Sequence, residues 1–164
     1  MSLQDPAAGR AAIDPRGPRF TAWVTSVVLA VVLVAAPGDL ATALLGVQAA
    51  LFALGVGLGV QRTPLAWVFR TAVRPRLAPP IELEDPGPPR FAQAVGLLFA
   101  VVGVVGFLAG LDLLGLVATG FALVAALLNA GFGLCLGCEM YLLFRRATSG
   151  SAAGRPGTPV VTTN

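Results

Sequence analysis

The sequence predicts an all-α membrane protein with four transmembrane helices, arranged as two duplicated helical hairpins with an interfacial amphipathic helix between them. Only 12% of the residues are charged and 56% are hydrophobic, whereas a soluble domain carries roughly 25% charged residues. Four stretches contain no charged residue, and a spanning helix needs about 20 apolar residues to cross about 30 Å of hydrocarbon. These stretches are residues 20–38, 40–61, 91–111 and 113–138.

The apolar stretches divide the chain into five parts. A polar segment precedes the first stretch, and a segment rich in proline and arginine separates the second from the third. The predicted parts are a cytoplasmic tail (1–19), a first transmembrane hairpin (20–60), a cytoplasmic interfacial helix with an acidic, proline-rich connector (61–90), a second transmembrane hairpin (91–146) and a disordered C-terminal tail (147–164).

The segment after the second span combines arginines with aromatic and aliphatic residues. Arg62, Arg70, Arg74 and Arg76 are interleaved with apolar residues such as Trp67. This apolar run is too short to span, and arginines beside aromatic residues are typical of a helix lying among lipid headgroups. The four arginines are therefore candidate residues for binding lipid or a partner protein, and a plain cytoplasmic loop is the alternative.

The arginines also predict the orientation. If four helices cross the membrane, all eleven arginines fall on one side, and the opposite turns carry Asp39 and Asp112 without a basic residue. The positive-inside rule then places both termini in the cytoplasm of a multi-pass cell-membrane protein. Because the arginines flank spans instead of forming a soluble basic face, we expect no nucleic-acid partner.

The two hairpins are predicted to be repeats. Residues 13–20 (IDPRGPRF) and 84–91 (EDPGPPRF) are near copies, and each hairpin later passes a G-x-G-L element, at 55–58 and at 131–134. Each unit contains two spans, so both halves share one orientation, and we expect a pseudo-two-fold axis along the membrane normal.

The repeat also indicates where the halves differ. Counted from the G-x-G-L elements, Cys135 takes the place of Gly59, and Cys138 takes the place of Arg62. The second half thus has a Cys-x-x-Cys pair that the first half lacks.

Two segments carry a resemblance to a known family. Residues 74–96 (RPRLAPPIELEDPGPPRFAQAVG) and 128–146 (LNAGFGLCLGCEMYLLFRR) resemble the actinobacterial membrane family called domain of unknown function 4395, over nearly the whole chain from about Asp14 to Arg146. The resemblance implies a small integral membrane protein of unassigned activity. Family members encoded near thioredoxin-like or rhodanese-like proteins point to thiol or sulfur chemistry. The family supplies no catalytic residues.

Cys135 and Cys138, followed by Glu139, are the candidate catalytic residues. Placed late in one long fourth helix, the two cysteines share a face near the cytoplasmic boundary, and their spacing is that of dithiol redox motifs. In that position, burial and Glu139 are expected to raise the thiol pKa. Two alternatives stay open: the cysteines pack as small apolar residues, or they bind a metal. Zinc takes three or four ligands, and a chain without histidine needs a dimer to supply them.

Polar and small residues inside the spans predict helix packing. Gln48 and Asn129 are uncharged and are expected to form interhelical hydrogen bonds. The pairs Gly106/Gly110 and Gly133/Gly137 have the spacing of close helix contacts, within one chain or in a homo-oligomer. The sequence identifies no cofactor and no metal. The absence of His and Lys excludes a Ser-His-acid triad and a P-loop lysine.

Two functions remain open. In the first, the protein is a thiol-redox or sulfur-handling component, and its cysteines exchange electrons or persulfide sulfur with a thioredoxin-like or rhodanese-like cytosolic protein. In the second, it is a non-enzymatic membrane scaffold or accessory subunit, and the arginine-rich surface docks a cytosolic partner. Membrane lipids are expected to surround either one.

Overall fold

A computed structural model describes residues 13–80 and 83–149, so the predicted tails lie largely outside the described residues. Two long helices are followed by a short one, and the pattern then repeats. The helices are α1 (Arg16–Ala35), α2 (Asp39–Leu58), α3 (Pro64–Val68, continued by a π-helical turn at Phe69–Val73 and a 3₁₀ turn at Arg74–Arg76), α4 (Gly87–Leu108), α5 (Asp112–Phe132) and α6 (Leu136–Ser149).

The four long helices confirm the predicted spans. Helices α1, α2, α4 and α5 contain 20 to 22 residues, and each is apolar enough to cross a membrane, with a mean hydropathy between 1.8 and 2.3. At most 28% of each apolar window is buried within the bundle. The outward faces of these helices are therefore largely hydrocarbon, which is the surface that a lipid bilayer solvates.

The four spans form a closed ring in which α1 contacts α2 and α5, and α4 also contacts α2 and α5. Exchanging α1 with α4 and α2 with α5 maps every one of these contacts onto another. The ring therefore has the symmetry expected of two duplicated hairpins. A core of large and small apolar side chains fills its centre, namely Leu29, Val32, Ala41, Leu45, Phe52, Ala100 and Ala122.

The starts of the two repeats pair with each other. The Ile13 N–H donates to the Glu84 carbonyl and the Glu84 N–H donates to the Ile13 carbonyl, both at 2.9 Å. Ile13 and Glu84 are the first residues of the two near-identical segments. Because each equivalent residue bonds to the other, the pseudo-two-fold axis passes between them.

Glycines set the closest approach between α4 and α5. A Cβ at Gly106 would lie 2.7 Å from the Gly115 nitrogen, so these two helices touch through backbone. Gly110 belongs to the turn instead, with φ +71. The prediction that Gly106 and Gly110 share one packing face was therefore wrong, because α4 ends at Leu108.

Each short helix packs on the first helix of its own hairpin. Helix α3 and its continuation lie against α1, where the Phe69 and Phe20 ring centroids are 5.8 Å apart. Helix α6 lies against α4, where the Tyr141 and Phe91 centroids are 5.9 Å apart. Both short helices therefore sit at the same end of the bundle, the end at which α1 and α4 begin.

Candidate functional site

The fourth span ends earlier than the charge-free run predicts. Helix α5 stops at Phe132, and Gly133 adopts a left-handed conformation with φ +70. Its N–H donates to the Asn129 carbonyl at 3.0 Å, and the Leu134 N–H donates to the Leu128 carbonyl at 3.2 Å. A left-handed glycine that satisfies the last carbonyls is a common way to end a helix. The two cysteines therefore lie outside the fourth span.

Cys135 begins a new helix. The Glu139 N–H donates to the Cys135 carbonyl at 3.0 Å, which is the first backbone hydrogen bond of α6. Cys135 is thus the N-cap residue, and Cys138 is the third helical residue after it. The prediction that the pair sits late in a helix was wrong, because the apolar run continues across the break at Gly133.

Cys135 and Cys138 are joined by a disulfide bond, and their Cα atoms are 5.1 Å apart. This Cα separation lies within the usual range of about 4.4–6.8 Å. Both residues are half-buried. The backbone at the start of α6 therefore places the two cysteines at a separation that allows the disulfide bond.

The position at a helix start changes the expected electrostatics. The unpaired N–H groups and the helix dipole at an N-terminus stabilise negative charge, which favours the thiolate form of a cysteine. Glu139 is exposed, so solvent screens its carboxylate from the sulfur atoms. The position late in a helix, on which the sequence prediction for the thiols rested, therefore does not occur in the structure.

The first hairpin has the same helix start without cysteines. Thr63 is the N-cap of α3, and its Oγ1 accepts from the Ala66 N–H at 3.2 Å. Its carbonyl accepts from the Trp67 N–H at 3.0 Å, as the Cys135 carbonyl accepts from Glu139. Thr63 and Ala66 are therefore the structural counterparts of Cys135 and Cys138.

The sequence comparison had paired Cys135 with Gly59 and Cys138 with Arg62, and these are not the structural counterparts. Gly59 follows α2 and Gly133 follows α5, both with positive φ but with different ψ, 151 and 9. A 3₁₀ turn at Val60–Arg62 then separates Gly59 from Thr63, whereas only Leu134 separates Gly133 from Cys135. The predicted pairing is therefore displaced by four residues: two because Gly59 and not Gly57 corresponds to Gly133, and two because the linker after the glycine is longer in the first half.

A glycine holds α6 close to α4. A Cβ at Gly137 would lie 2.6 Å from the Ala92 Cα atom and 2.7 Å from its Cβ atom. Gly87 at the start of α4 makes room for the Tyr141 ring in the same contact. Gly133 and Gly137 thus serve different purposes, a helix cap and a helix contact, and do not form the single packing face that the sequence predicted.

A family model matches residues 13–146, which is most of the chain. The chain belongs to the DUF4395 family. The family is described as a domain of unknown function, and its extent confirms the resemblance found in the sequence. No curated protein and no solved structure matches the chain. The chemistry of this DUF4395 protein must therefore be inferred from its own residues.

The arginine-rich surface of this DUF4395 protein lies apart from the disulfide. Arg62, Arg70, Arg74 and Arg76 are all exposed, and they lie in or beside α3, next to the exposed Trp67. Helix α3 packs on α1 and α6 packs on α4. Since α1 and α4 occupy opposite corners of the ring, the basic surface and the cysteines face different neighbours.

The polar residues of the spans have different surroundings. Gln48 is 1% exposed, and its Nε2 donates to Thr25 Oγ1 at 3.4 Å, which joins α2 to α1. Within the described residues, its Oε1 has no hydrogen-bond partner. Asn129 is half-buried near the end of α5, and its carbonyl accepts from the Gly133 cap.

The described part of the chain holds no cluster of three or more His, Cys, Asp or Glu side chains that could bind a metal ion. The carboxylates of the predicted acidic connector are only partly described, since Glu82 lies outside the described residues.

Proposed function

We propose that this protein is a membrane thiol–disulfide component whose reacting group is the Cys135–Cys138 pair. One observation carries the proposal: the pair spans the N-cap and third positions of a helix, where the thiolate form is stabilised. A packing role requires neither the helix break nor the bond between the two sulfur atoms.

The exchange is balanced by a dithiol partner. A partner thiolate attacks one sulfur atom, the Cys135–Cys138 bond breaks, and a mixed disulfide forms. The second partner thiolate then attacks that mixed disulfide and releases the second cysteine. The partner leaves as a disulfide, and this protein gains two electrons and two protons as two thiols. The reverse sequence reoxidises the pair.

Within this proposal, Cys135 is the attacking thiol of the reduced protein. Its counterpart Thr63 shows where an N-cap acceptor atom lies, because Thr63 Oγ1 accepts from the Ala66 N–H. By the same geometry, a Cys135 thiolate accepts from the Cys138 N–H. Cys138 is then the resolving thiol, which closes the disulfide after Cys135 has reacted.

The proposed location is the cytoplasmic face of the cell membrane. The turns at Asp39 and Asp112 lie at the opposite end of the bundle from α3 and α6, and the arginines of the described residues cluster at the α3 and α6 end. The positive-inside rule supports a cytoplasmic position for that end. A thioredoxin-like or rhodanese-like protein is the class of partner that reaches a dithiol there.

The test is the redox state of the two cysteines in native membranes. Differential thiol alkylation with mass spectrometry, across a poised glutathione series, is expected to show one two-electron transition between the dithiol and the disulfide. Thiols that stay reduced and unreactive across the series contradict the proposal. A disulfide that never opens across the series contradicts it as well.

A scaffold function is the second candidate, and the exposure of four arginines around one short helix favours it. Replacing Arg70, Arg74 and Arg76 with Glu is expected to lose a docked cytosolic partner, while Cys135→Ser and Cys138→Ser leave docking unchanged. The reverse pattern, in which the cysteine variants lose function and the arginine variants keep it, excludes the scaffold.

A further inference from the structure

Helix α6 has an apolar side whose residues are exposed in the described part of the chain. Leu136, Met140, Leu143 and Phe144 are 44%, 53%, 61% and 68% exposed. Their spacing of three and four residues, with Phe144 adjoining, places them on one side of the helix. With 14 residues, α6 is too short to cross the hydrocarbon core, which takes about 20.

The other two sides of α6 have different surroundings. Gly137 and Tyr141 face α4. Glu139 and Arg146 are exposed and lie seven residues apart, on a third side that carries charge. The helix therefore has one side against protein, one exposed apolar side, and one exposed side where Glu139 and Arg146 flank Leu142, which is 41% exposed.

We propose that the apolar side of α6 lies in the phospholipid bilayer, at the boundary between headgroups and acyl chains. This interfacial contact goes beyond the thiol–disulfide proposal and does not depend on it. An amphipathic helix with one apolar and one charged side binds that boundary with its axis parallel to the membrane.

Continuity with the spanning surface supports a lipid occupant. Phe132 at the end of α5 is 76% exposed and Leu134 is 52% exposed. They connect the outward face of a span directly to Leu136 at the start of α6. A bilayer that surrounds α5 therefore reaches the apolar side of α6 without a gap. Arg146 on the charged side suits the anionic headgroups found there.

The lipid contact also sets the direction in which the cysteines face. Cys138 is two residues from both Leu136 and Met140, which is about 200° around an α-helix with 3.6 residues per turn. Cys138 thus lies on the side away from the lipid. If the thiol–disulfide proposal holds, the expected exchange partner is a water-soluble thiol protein and not a lipid-soluble carrier.

Spin-label accessibility tests the contact. In the full chain with Cys135→Ser and Cys138→Ser, a nitroxide is attached at Leu143→Cys, with Arg146→Cys as the matched control, in phosphatidylcholine/phosphatidylglycerol nanodiscs. The label at 143 is expected to collide more with oxygen than with a water-soluble nickel chelate, and the label at 146 is expected to show the reverse. Equal exposure of both labels to nickel overturns the proposal.

Two further readouts separate the other outcomes. Spin–spin broadening at 143 that disappears on dilution with unlabelled protein would show that a second copy covers this side, which overturns the lipid contact. A second variant keeps Cys135 and Cys138 and carries Leu143→Trp. Its two natural tryptophans are replaced by Trp23→Phe and Trp67→Phe, so that residue 143 is the only tryptophan. Brominated lipid is expected to quench its fluorescence, and unchanged fluorescence contradicts the proposal without involving the disulfide.

Discussion

Helices α3 and α6 are the equivalent short helices of the two halves of the protein, but different residues begin them. Each follows a span that ends at a glycine with positive φ, Gly59 or Gly133, and each rests an aromatic ring on the first helix of its hairpin. In α3 the N-cap and third positions hold Thr63 and Ala66, which cap the helix. In α6 the same positions hold a disulfide.

The comparison shows that the scaffold does not require the cysteines. A threonine N-cap already starts α3, and capping of this kind contributes about 1 kcal/mol to helix stability. The cysteines therefore occupy a position in which a polar cap suffices, and they replace it with a disulfide. Helix α3, which has no cysteines, therefore shows how this type of helix start forms without a disulfide.

Removing either thiol is the largest expected effect. Cys135→Ser and Cys138→Ser are each expected to abolish disulfide exchange with a dithiol substrate, because a single thiol cannot close the bond. Serine is itself a good N-cap at position 135, so Cys135→Ser should keep the protein yield in detergent. Residual two-electron exchange in either variant, measured by alkylation and mass spectrometry, would show that the exchange does not require the Cys135–Cys138 disulfide.

Transplanting the cysteines to α3 sharpens the comparison. In a chain with Cys135→Ser and Cys138→Ser, the pair Thr63→Cys and Ala66→Cys is expected to form a disulfide, because both helix starts share the same backbone hydrogen bond. Non-reducing mass spectrometry detects the bond. Two free thiols under oxidising glutathione would show that the equivalence of α3 and α6 does not extend to the distance between side chains.

Detaching α6 from α4 is expected to have an intermediate effect. Gly137→Leu forces a side chain against the Ala92 backbone, and overpacking of this kind costs about 1–3 kcal/mol. The matched control is Gly120→Ala in α5, where a Cβ meets nothing within 4 Å. Thermal unfolding in detergent compares them. Equal midpoints for Gly137→Leu and the control would contradict the observed contact.

The smallest expected effect concerns an arginine at the start of α4. Arg90 Nε donates to the Val56 carbonyl at 2.6 Å, and Arg90 Nη2 donates to the Gly57 carbonyl at 3.3 Å, at the end of α2. A cation at a helix C-terminus contributes about 0.3–1 kcal/mol, and Arg90 is exposed. Arg90→Met is therefore expected to lower the thermal midpoint slightly, and Arg90→Lys is expected to restore part of the loss.

Much of the fold was predictable because a helix that crosses a bilayer must be apolar over about 20 residues. Span length, the turns at Asp39 and Asp112, and the duplication all follow from charge-free runs and from a repeated segment. The mutual pairing of Ile13 and Glu84 was not predicted, because a repeat shows which residues are equivalent but not whether equivalent residues touch.

The geometry around the two candidate cysteines was not predicted from the sequence. No charge or proline marks the end of α5, since the apolar run continues from residue 113 to 138. Gly133 fits a helix-packing motif and a helix cap equally well by spacing alone, and its left-handed φ decides between them. A signal was present, because a glycine after an apolar helical run and an acid in the next turn are both typical of a helix boundary.

The most direct test concerns the acidity of Cys135. In the Cys138→Ser protein in nanodiscs, the rate of iodoacetamide alkylation against pH gives the apparent pKa of the Cys135 thiol. An N-cap thiolate that accepts a backbone N–H predicts a pKa below the value of about 8.5 for a free cysteine. A pKa at or above that value would contradict the claim that the start of α6 activates this cysteine.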